Sequence, residues 1–485
     1  MSWSSIAIPV DIAVLGAGIS GLAAALALAR GGHVITLIER DALDVGEALD
    51  SLDWARRGIP HFQQAHSFTS RGYKELREAF PDVLQALIEA GADDIDMARK
   101  IPGAAEPGDE DLRVLGVRRP LIEWALRRAV VAEPNVRVAS NTNVVGLVAT
   151  EGEVPRVSGV RTADGVVDAD LVIDAMGRRS PAPAWIAALG GTPMTEETSE
   201  CGVIYYTRYY RVREGRSLPD GPWLPTPRAD LGYGLFSTFP GDNGTFAGLI
   251  AIPPGDQDLK LLRREAAFDA ATALMPALWS WVNPDTSTPI TGVLPMGSLQ
   301  NTLRTPVDVR PPAIGLISIG DALCHTDPVF ALGMSFAFIE ARHLRDALVT
   351  YGSDVEGAAL AFDAAMRPSI VERFQFATVL DDLRVRRWTG ESFDVAHYDG
   401  GAYPLFIMAA GGAASLVDAS VFRAVVRRNY FLDPLSIVDS DVTMQARIER
   451  IFGELLATPR APAGPTRGDL LEAMQAAIAN SISSS

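Results

Sequence analysis

The hexapeptide Gly16-Ala17-Gly18-Ile19-Ser20-Gly21 stands between an apolar, strand-like run, Ile12–Leu15, and an alanine- and leucine-rich helical stretch, Gly21–Arg30. A chain can pass from strand to helix that abruptly only where glycines relieve the backbone. The first glycine permits the tight turn, the second lets a pyrophosphate approach the main chain, and the third lets the helix pack closely. A second strand, Val34–Glu39, completes a βαβ start in about thirty residues. Glu39 ends that strand eighteen residues after Gly21, with Arg40 behind it. A carboxylate there accepts two hydrogen bonds from a ribose diol, as an unphosphorylated adenosine ribose requires. The fingerprint alone does not separate NAD from FAD. Ile12–Gly31 is apolar and long enough for a bilayer, but its three motif glycines and strand-like start assign it to a buried βα unit.

Composition narrows the class. With 485 residues, 48% of them hydrophobic and 21% charged, the chain reads as a globular protein of several domains, not a disordered or fibrous one. Forty-three basic against sixty acidic residues leave a formal charge of -17, which disfavours nucleic acid and anionic lipid as partners. Cys201 and Cys324 form no Cys-x-x-Cys pair, so neither a disulfide framework nor a metal site is expected. The opening residues MSWSSIAIPV lack a secretory pattern, no integral membrane segment is expected, and the expected location is cytoplasmic.

Further along, helices are expected across Ser70–Ala90, broken at Pro81, and over Leu121–Val131. Leu171–Ala175 and Ile314–Ile319 are continuous apolar runs of the kind buried on both faces of a parallel sheet. The second run opens the segment Gly320-Asp321-Ala322-Leu323-Cys324-His325-Thr326-Asp327-Pro328, which continues to Gly333-Met334-Ser335 and a helix over Ser335–Leu348. This segment resembles the Gly-Asp motif of FAD-dependent aromatic hydroxylases and epoxidases, the p-hydroxybenzoate hydroxylase superfamily. The resemblance implies that FAD is the cofactor and that Asp321 holds its ribityl or ribose hydroxyls. It places Pro328 beside the isoalloxazine and aims the helix start at Gly333, Met334 and Ser335 towards the flavin N1–C2=O edge. A helix N-terminus stabilises an anion there by about 0.3 to 1 kcal/mol. Gly16, Gly18, Ile19, Ser20, Gly21, Glu39 and Arg40 complete the implied cofactor set with Arg119, chosen over Arg118, at the start of a helix, Val144 beside adenine, and Arg57 in a loop that also offers Gln64 and His66.

The implied fold is α/β. A discontinuous Rossmann-like FAD-binding domain occupies 8–185 and 305–370, with 60–115 contributing to the substrate side. A mixed or antiparallel β-sheet substrate domain spans 186–304, and a C-terminal helical region spans 371–485. Strand periodicity between Cys201 and Pro253 offers Tyr206, Arg208, Phe236 and Phe239 as the floor of a substrate cavity. Trp279-Ser-Trp281-Val-Asn283-Pro284 is superficially similar to the Trp-x-Trp-x-Ile-Pro signature of flavin halogenases, but asparagine replaces isoleucine, and Lys74 lies in a charged helical segment; both read as structural.

The resemblance implies a monooxygenase that moves one oxygen atom of O2, through a flavin C4a-hydroperoxide, into an apolar, natural-product-like small molecule. The pattern looks most like the bacterial, squalene-epoxidase-like branch. Flavin carries the chemistry, so no catalytic side chain is assigned, and the lack of an evident base favours alkene epoxidation over phenol hydroxylation. Met176 replaces the aspartate of the family's Asp-Gly motif after Asp174. NAD(P)H therefore serves as electron donor either directly or through a separate flavin reductase. A flavin reductase or dehydrogenase of the geranylgeranyl-reductase type, and a non-catalytic protein of the same fold, are the alternatives.

Overall fold

The computed structural model describes residues 9–48, 53–54, 56, 58–59, 61–101, 103–192, 194–219, 227–307, 310–398, 401–458 and 461–483. At its centre lies a five-stranded parallel sheet in the order Leu316–Ser318, Leu171–Asp174, Asp11–Leu15, Val34–Ile38, Val136–Ala139. Asp11–Leu15 is the middle strand, and its apolar residues are buried, which suits an uninterrupted apolar run. The helix Ile19–Arg30 packs against the helices Gly333–Tyr351 and Arg119–Ala132, and its row of alanines permits that close approach. The outer strand Leu316–Ser318 arrives from some 300 residues later in the chain, so the nucleotide-binding unit is assembled from distant segments.

The turn geometry explains the glycines. Gly16 has φ +98°, in the left-handed region that side chains avoid. A Cβ on Gly21 would stand 1.9 Å from the Gly16 carbonyl oxygen, so the helix can seat on the turn only with glycine there.

The second layer is a six-stranded antiparallel sheet in the order Arg228–Asp230, Leu235–Pro240, Thr245–Ile252, Ile204–Val212, Ser287–Pro289, with Leu294–Met296 also paired along Ile204–Val212. Its register corrects the expected cavity floor. Tyr206 pairs with Ile250, which pairs with Phe236, whereas Tyr209 pairs with Ala247, which pairs with Phe239. Successive side chains alternate between faces, so Phe239 lies opposite the face that carries Tyr206 and Phe236. Tyr206 and Phe236 are packed in the outer core with Phe246, Phe268 and Trp281, under the helices Glu265–Ala273 and Pro276–Val282. Arg208 is held there by Glu265 (2.6 Å) and Asp269 (2.7 Å). These three residues therefore bind helices; the face of Tyr205, Tyr209 and Phe239 is the one turned to the nucleotide-binding unit.

The helix Val355–Trp388 runs unbroken across position 370, with Pro368 inside it, and leads to the helices Ala419–Asn429 and Val442–Leu456. The last helix, Arg467–Ser483, returns to the β layer and buries Leu470 and Met474 against the helix Glu265–Ala273. No helix among the described residues is long and apolar enough to cross a membrane. Gly21→Ala should lower stability by about 1–3 kcal/mol or more, because the intruding methyl meets backbone rather than a side chain that can swing away. Urea or thermal unfolding of the variant checks this.

Candidate cofactor and substrate site

The two sequence motifs meet at the C-terminal ends of the parallel strands, where open α/β sheets bind ligands. Gly18 precedes the first turn of Ile19–Arg30, and no side chain caps that helix start, so its amides are left for a ligand. A Cβ on Gly18 would find only Arg119 Nη2, at 3.8 Å. From the other side, the Gly-Asp turn approaches so closely that a Cβ on Gly320 (φ +58°) would lie 2.3 Å from Ser20 Oγ. Asp321 is half-buried in the short helical turn Gly320–Ala322 beside this contact.

The two arginines before Pro120 have separate duties. Arg118 is committed to the β layer through Asp242, with Nη2 2.6 Å from Oδ1. Arg119 leans over the glycine turn, with Nε donating to Glu123 at 3.0 Å and Nη1 to His61 Nε2 at 2.9 Å.

Glu39 is buried and its carboxylate accepts from the amides of Ala17 (2.6 Å) and Asp41 (3.0 Å). It also pairs with Arg56 at 2.7 Å. Burial alone would raise this carboxyl, but Arg56 and the two amides outweigh it and hold it below the usual range. Arg56 in turn donates to Glu123 at 2.7 Å and to the Ala17 carbonyl at 2.8 Å. Sequence reasoning favoured its neighbour Arg57, which lies outside the described residues. Two adjacent arginines were the available signal; Glu123, the partner of Arg56, is 67 residues away in sequence. Arg40 is exposed and reaches across Gly58. Val144 opens a strand, Val144–Ala149, two residues after Thr142, whose amide donates to the Glu39 carbonyl at 2.9 Å.

Beyond Asp321 the chain forms the short strand Cys324–His325 and then the loop Asp327–Ala331, which ends with Ala331 at φ +53°. Asp327 is fully buried. It accepts from Tyr205 Oη on the inward sheet face, from Arg384 Nη2 (2.7 Å) and from the Val329 amide (3.1 Å). Its own amide donates to Asn301 Oδ1 at 2.7 Å. Asp381 shares Arg384 (2.8 Å) and Asn301 (2.8 Å), and burial beside Asp327 raises its carboxyl well above the usual range. This network leaves Pro328 and Gly333 exposed. Met334 and Ser335 are buried, and the Ser335 hydroxyl is engaged by Thr69 (2.9 Å) and the Gly72 amide (3.1 Å), so only the main chain of this helix start remains for a ligand.

Three histidines converge where these elements meet. His61 contacts Arg119, His66 Nδ1 donates to the Gln64 carbonyl at 2.8 Å, and His325 Nδ1 donates to the Gln300 carbonyl at 2.7 Å. Tyr209 Oη also donates to the Gln64 carbonyl, at 3.0 Å, which ties the inward sheet face to the histidine loop. Asp174 is buried behind Met176 and accepts from Ser180 Oγ (2.6 Å) and the Met176 amide (3.1 Å). Lys74 is paired with Asp111 at 2.7 Å, and Trp281 packs edge-on against Phe246, as structural residues do.

Glu340 lies beneath the Gly-Asp turn and accepts from the Gly320 amide at 2.8 Å. Burial pushes its carboxyl up to about 8, against the Gly320 hydrogen bond and with help from Asp321. The folded value lies above the unfolded one, so this group's contribution is full below about pH 4.5 and is lost as pH rises through about 8. Glu340→Gln should therefore flatten the fall in thermal midpoint between these two pH values, which unfolding scans across that range would show.

Residues 11–121 match the family model described as FAD dependent oxidoreductase. The chain is 26% identical over 371 residues to Protein Rv3254 of Mycobacterium tuberculosis (strain ATCC 25618 / H37Rv), covering 71% of this chain and 74% of that protein. Among solved structures it is similar to PqsL, a probable FAD-dependent monooxygenase from Pseudomonas aeruginosa, at 16% identity and a TM-score of 0.57, covering 79% of this chain and 99% of that one. It is also similar to the flavin-dependent brominase Bmp2, at 18% identity and a TM-score of 0.58, covering 93% of this chain and 98% of that one. A third similar structure is 2-methyl-3-hydroxypyridine-5-carboxylic acid oxygenase, at 16% identity and a TM-score of 0.56, covering 88% of this chain and 98% of that one. The first part of the chain thus matches the FAD dependent oxidoreductase model, and the chain shares its fold with these flavin-dependent enzymes.

Proposed function

We propose that this protein is an FAD-dependent monooxygenase that places one oxygen atom from O2 on an apolar small molecule held between the nucleotide-binding unit and the inward face of the antiparallel sheet. The observation that carries this reading is the open cradle at Gly18. A side chain there would fill the space between the turn and the Arg119 guanidinium, and the Gly-Asp turn closes on the same helix start from the opposite side. These residues fit FAD. The amides before Ile19 and Arg119 would hold its pyrophosphate, Glu39 its adenosine ribose, and Asp321 its remaining hydroxyls. FAD, when bound, supplies the activation of O2 and the oxygen transfer.

What the chain contributes is position and the exclusion of water. Asp327, tied to Tyr205 and Arg384, sets the distance between the cofactor loop and the sheet. The buried inward face supplies an apolar boundary through Leu249, Phe239 and Val329. We further propose that the substrate is natural-product-like, that the reaction is an epoxidation or hydroxylation of the kind run by the squalene-epoxidase-like bacterial branch, and that NAD(P)H is the electron source directly or through a flavin reductase. Met176 supports the second route, because it puts a thioether where a carboxylate would orient a nicotinamide.

Gly18→Val should leave the protein folded but remove FAD retention; flavin absorbance of the purified variant, beside its circular dichroism, measures both. Reduction of bound FAD by NADPH alone should be slow and should accelerate when a flavin reductase or substrate is added. Stopped-flow bleaching of the flavin band checks this, and rapid, saturable reduction without either addition would remove the two-component route.

A further inference from the structure

We infer that His66 forms an acceptor-only wall of the substrate site and selects molecules that present a hydroxyl or N–H donor over those that present a carboxylate; this rests on the flavin reading above. The tautomer follows from geometry. A carbonyl oxygen can only accept, so the 2.8 Å contact with the Gln64 carbonyl places the imidazole proton on His66 Nδ1. Nε2 then carries the lone pair, and it has no hydrogen-bond partner among the described residues. The ring is half-buried and Nε2 is not among the sealed, unpartnered atoms, so the lone pair meets accessible space.

The surroundings keep it an acceptor. Burial and the Arg119 charge push His66 down to about 3, against the Gln64 hydrogen bond, so the ring stays neutral at ordinary pH. His61, whose ring centroid is 5.9 Å away, uses its own Nε2 to accept from Arg119 and is neutral as well, pushed down to about 2 by burial and by Arg119. Neither ring can turn into a cation that would welcome a carboxylate.

The position matches the role. Gln64, whose carbonyl fixes His66, also accepts from Tyr209 Oη on the inward sheet face, while Arg119 beside His61 leans over the Gly18 turn. His66 thus stands between the cofactor cradle and the sheet. Of the nearby cations, Arg119 is engaged by Glu123 and His61, and Arg178 lies close enough to act electrostatically on His61. His325 approaches from the Gly-Asp side, where its Nδ1 donates to the Gln300 carbonyl at 2.7 Å.

The test uses the FAD-loaded full chain and three probes of one shape: naphthol, methoxynaphthalene and naphthoate. Dissociation constants are read from the perturbation of the flavin absorbance. Naphthol should bind about tenfold or more tightly than the ether and the carboxylate, the discrimination expected of one buried hydrogen bond. His66→Leu should bring naphthol and its ether to within about twofold, His66→Gln should restore much of the preference through its amide oxygen, and FAD affinity should hold in both variants. The inference is overturned if naphthoate or the ether binds wild type as tightly as naphthol, if none of the three binds, if His66→Leu keeps the preference, or if that variant loses FAD, which would make the ring a cofactor ligand. A wild-type protein that takes up no FAD would instead overturn the flavin reading itself.

Discussion

Asp327 is the carboxylate on which three parts of the molecule close. Tyr205 reaches it from the antiparallel sheet and Arg384 from the long helix Val355–Trp388, while Asn301 in the strand Gln300–Pro306 accepts from the Asp327 backbone amide. A buried charge of this kind is costly unless its partners are complete, and removing one partner typically costs about 3–5 kcal/mol. The three elements are therefore coupled: a shift of the sheet or the long helix would leave the buried carboxylate undercompensated, and a shift of the strand would leave the Asp327 amide without its acceptor. The loop from Asp327 to Ala331 is fixed by the same contacts, which turns a structural clamp into a device that sets the spacing between cofactor loop and sheet.

A comparable device operates at the other end of the site. Arg56 spans Glu39 and Glu123, so two carboxylates that would repel each other near an anionic cofactor share one cation. Arg127 approaches Glu123 at 3.5 Å and adds positive potential to the same corner. The corner around Glu39 thus has its charges balanced internally, leaving Arg119 and the helix amides as the groups directed at the glycine turn. Arg56 is committed to the protein's own carboxylates, whereas Arg119, paired to Glu123 through Nε, keeps Nη2 over the Gly18 turn, where the proposed cofactor phosphates would lie.

What could be read in advance follows from how local the constraint is. Gly16 and Gly320 answer to their own positive φ and Gly21 to the Gly16 carbonyl five residues before it, and the strand Asp11–Leu15 announces itself by its apolar run; these were legible, and Gly18 came with the motif they form. The partnership of Arg56 with Glu123 joins positions 67 residues apart, and Asp327 with Tyr205 joins positions 122 apart, so no short pattern encodes either. The sheet face escapes a sequence pattern for a related reason. Phe236 and Phe239 differ by three positions and so point to opposite sides, and which side meets the nucleotide-binding unit depends on helices that arrive later in the chain.

Those later helices cover the outer face of the sheet and leave its inward face to the site proposed above. The outer face of the sheet is sealed by Glu265–Ala273, by Pro276–Val282 and by the final helix Arg467–Ser483, whose Arg467 is clamped by Asp256 at 2.7 Å and whose Leu470 and Met474 are buried. Tyr233 Oη donates to the Pro465 carbonyl at 2.9 Å and fixes the approach of that helix. Tyr206, Phe236 and Arg208 are consumed in this packing. The polar atoms left to discriminate among ligands are those at the inward face and the loop beneath it, and Tyr209 and His66 share one carbonyl there. With the hydroxyl of Tyr209 and the Nδ1 proton of His66 both spent on Gln64, what this edge presents outward is lone pairs, and a ligand must bring the protons.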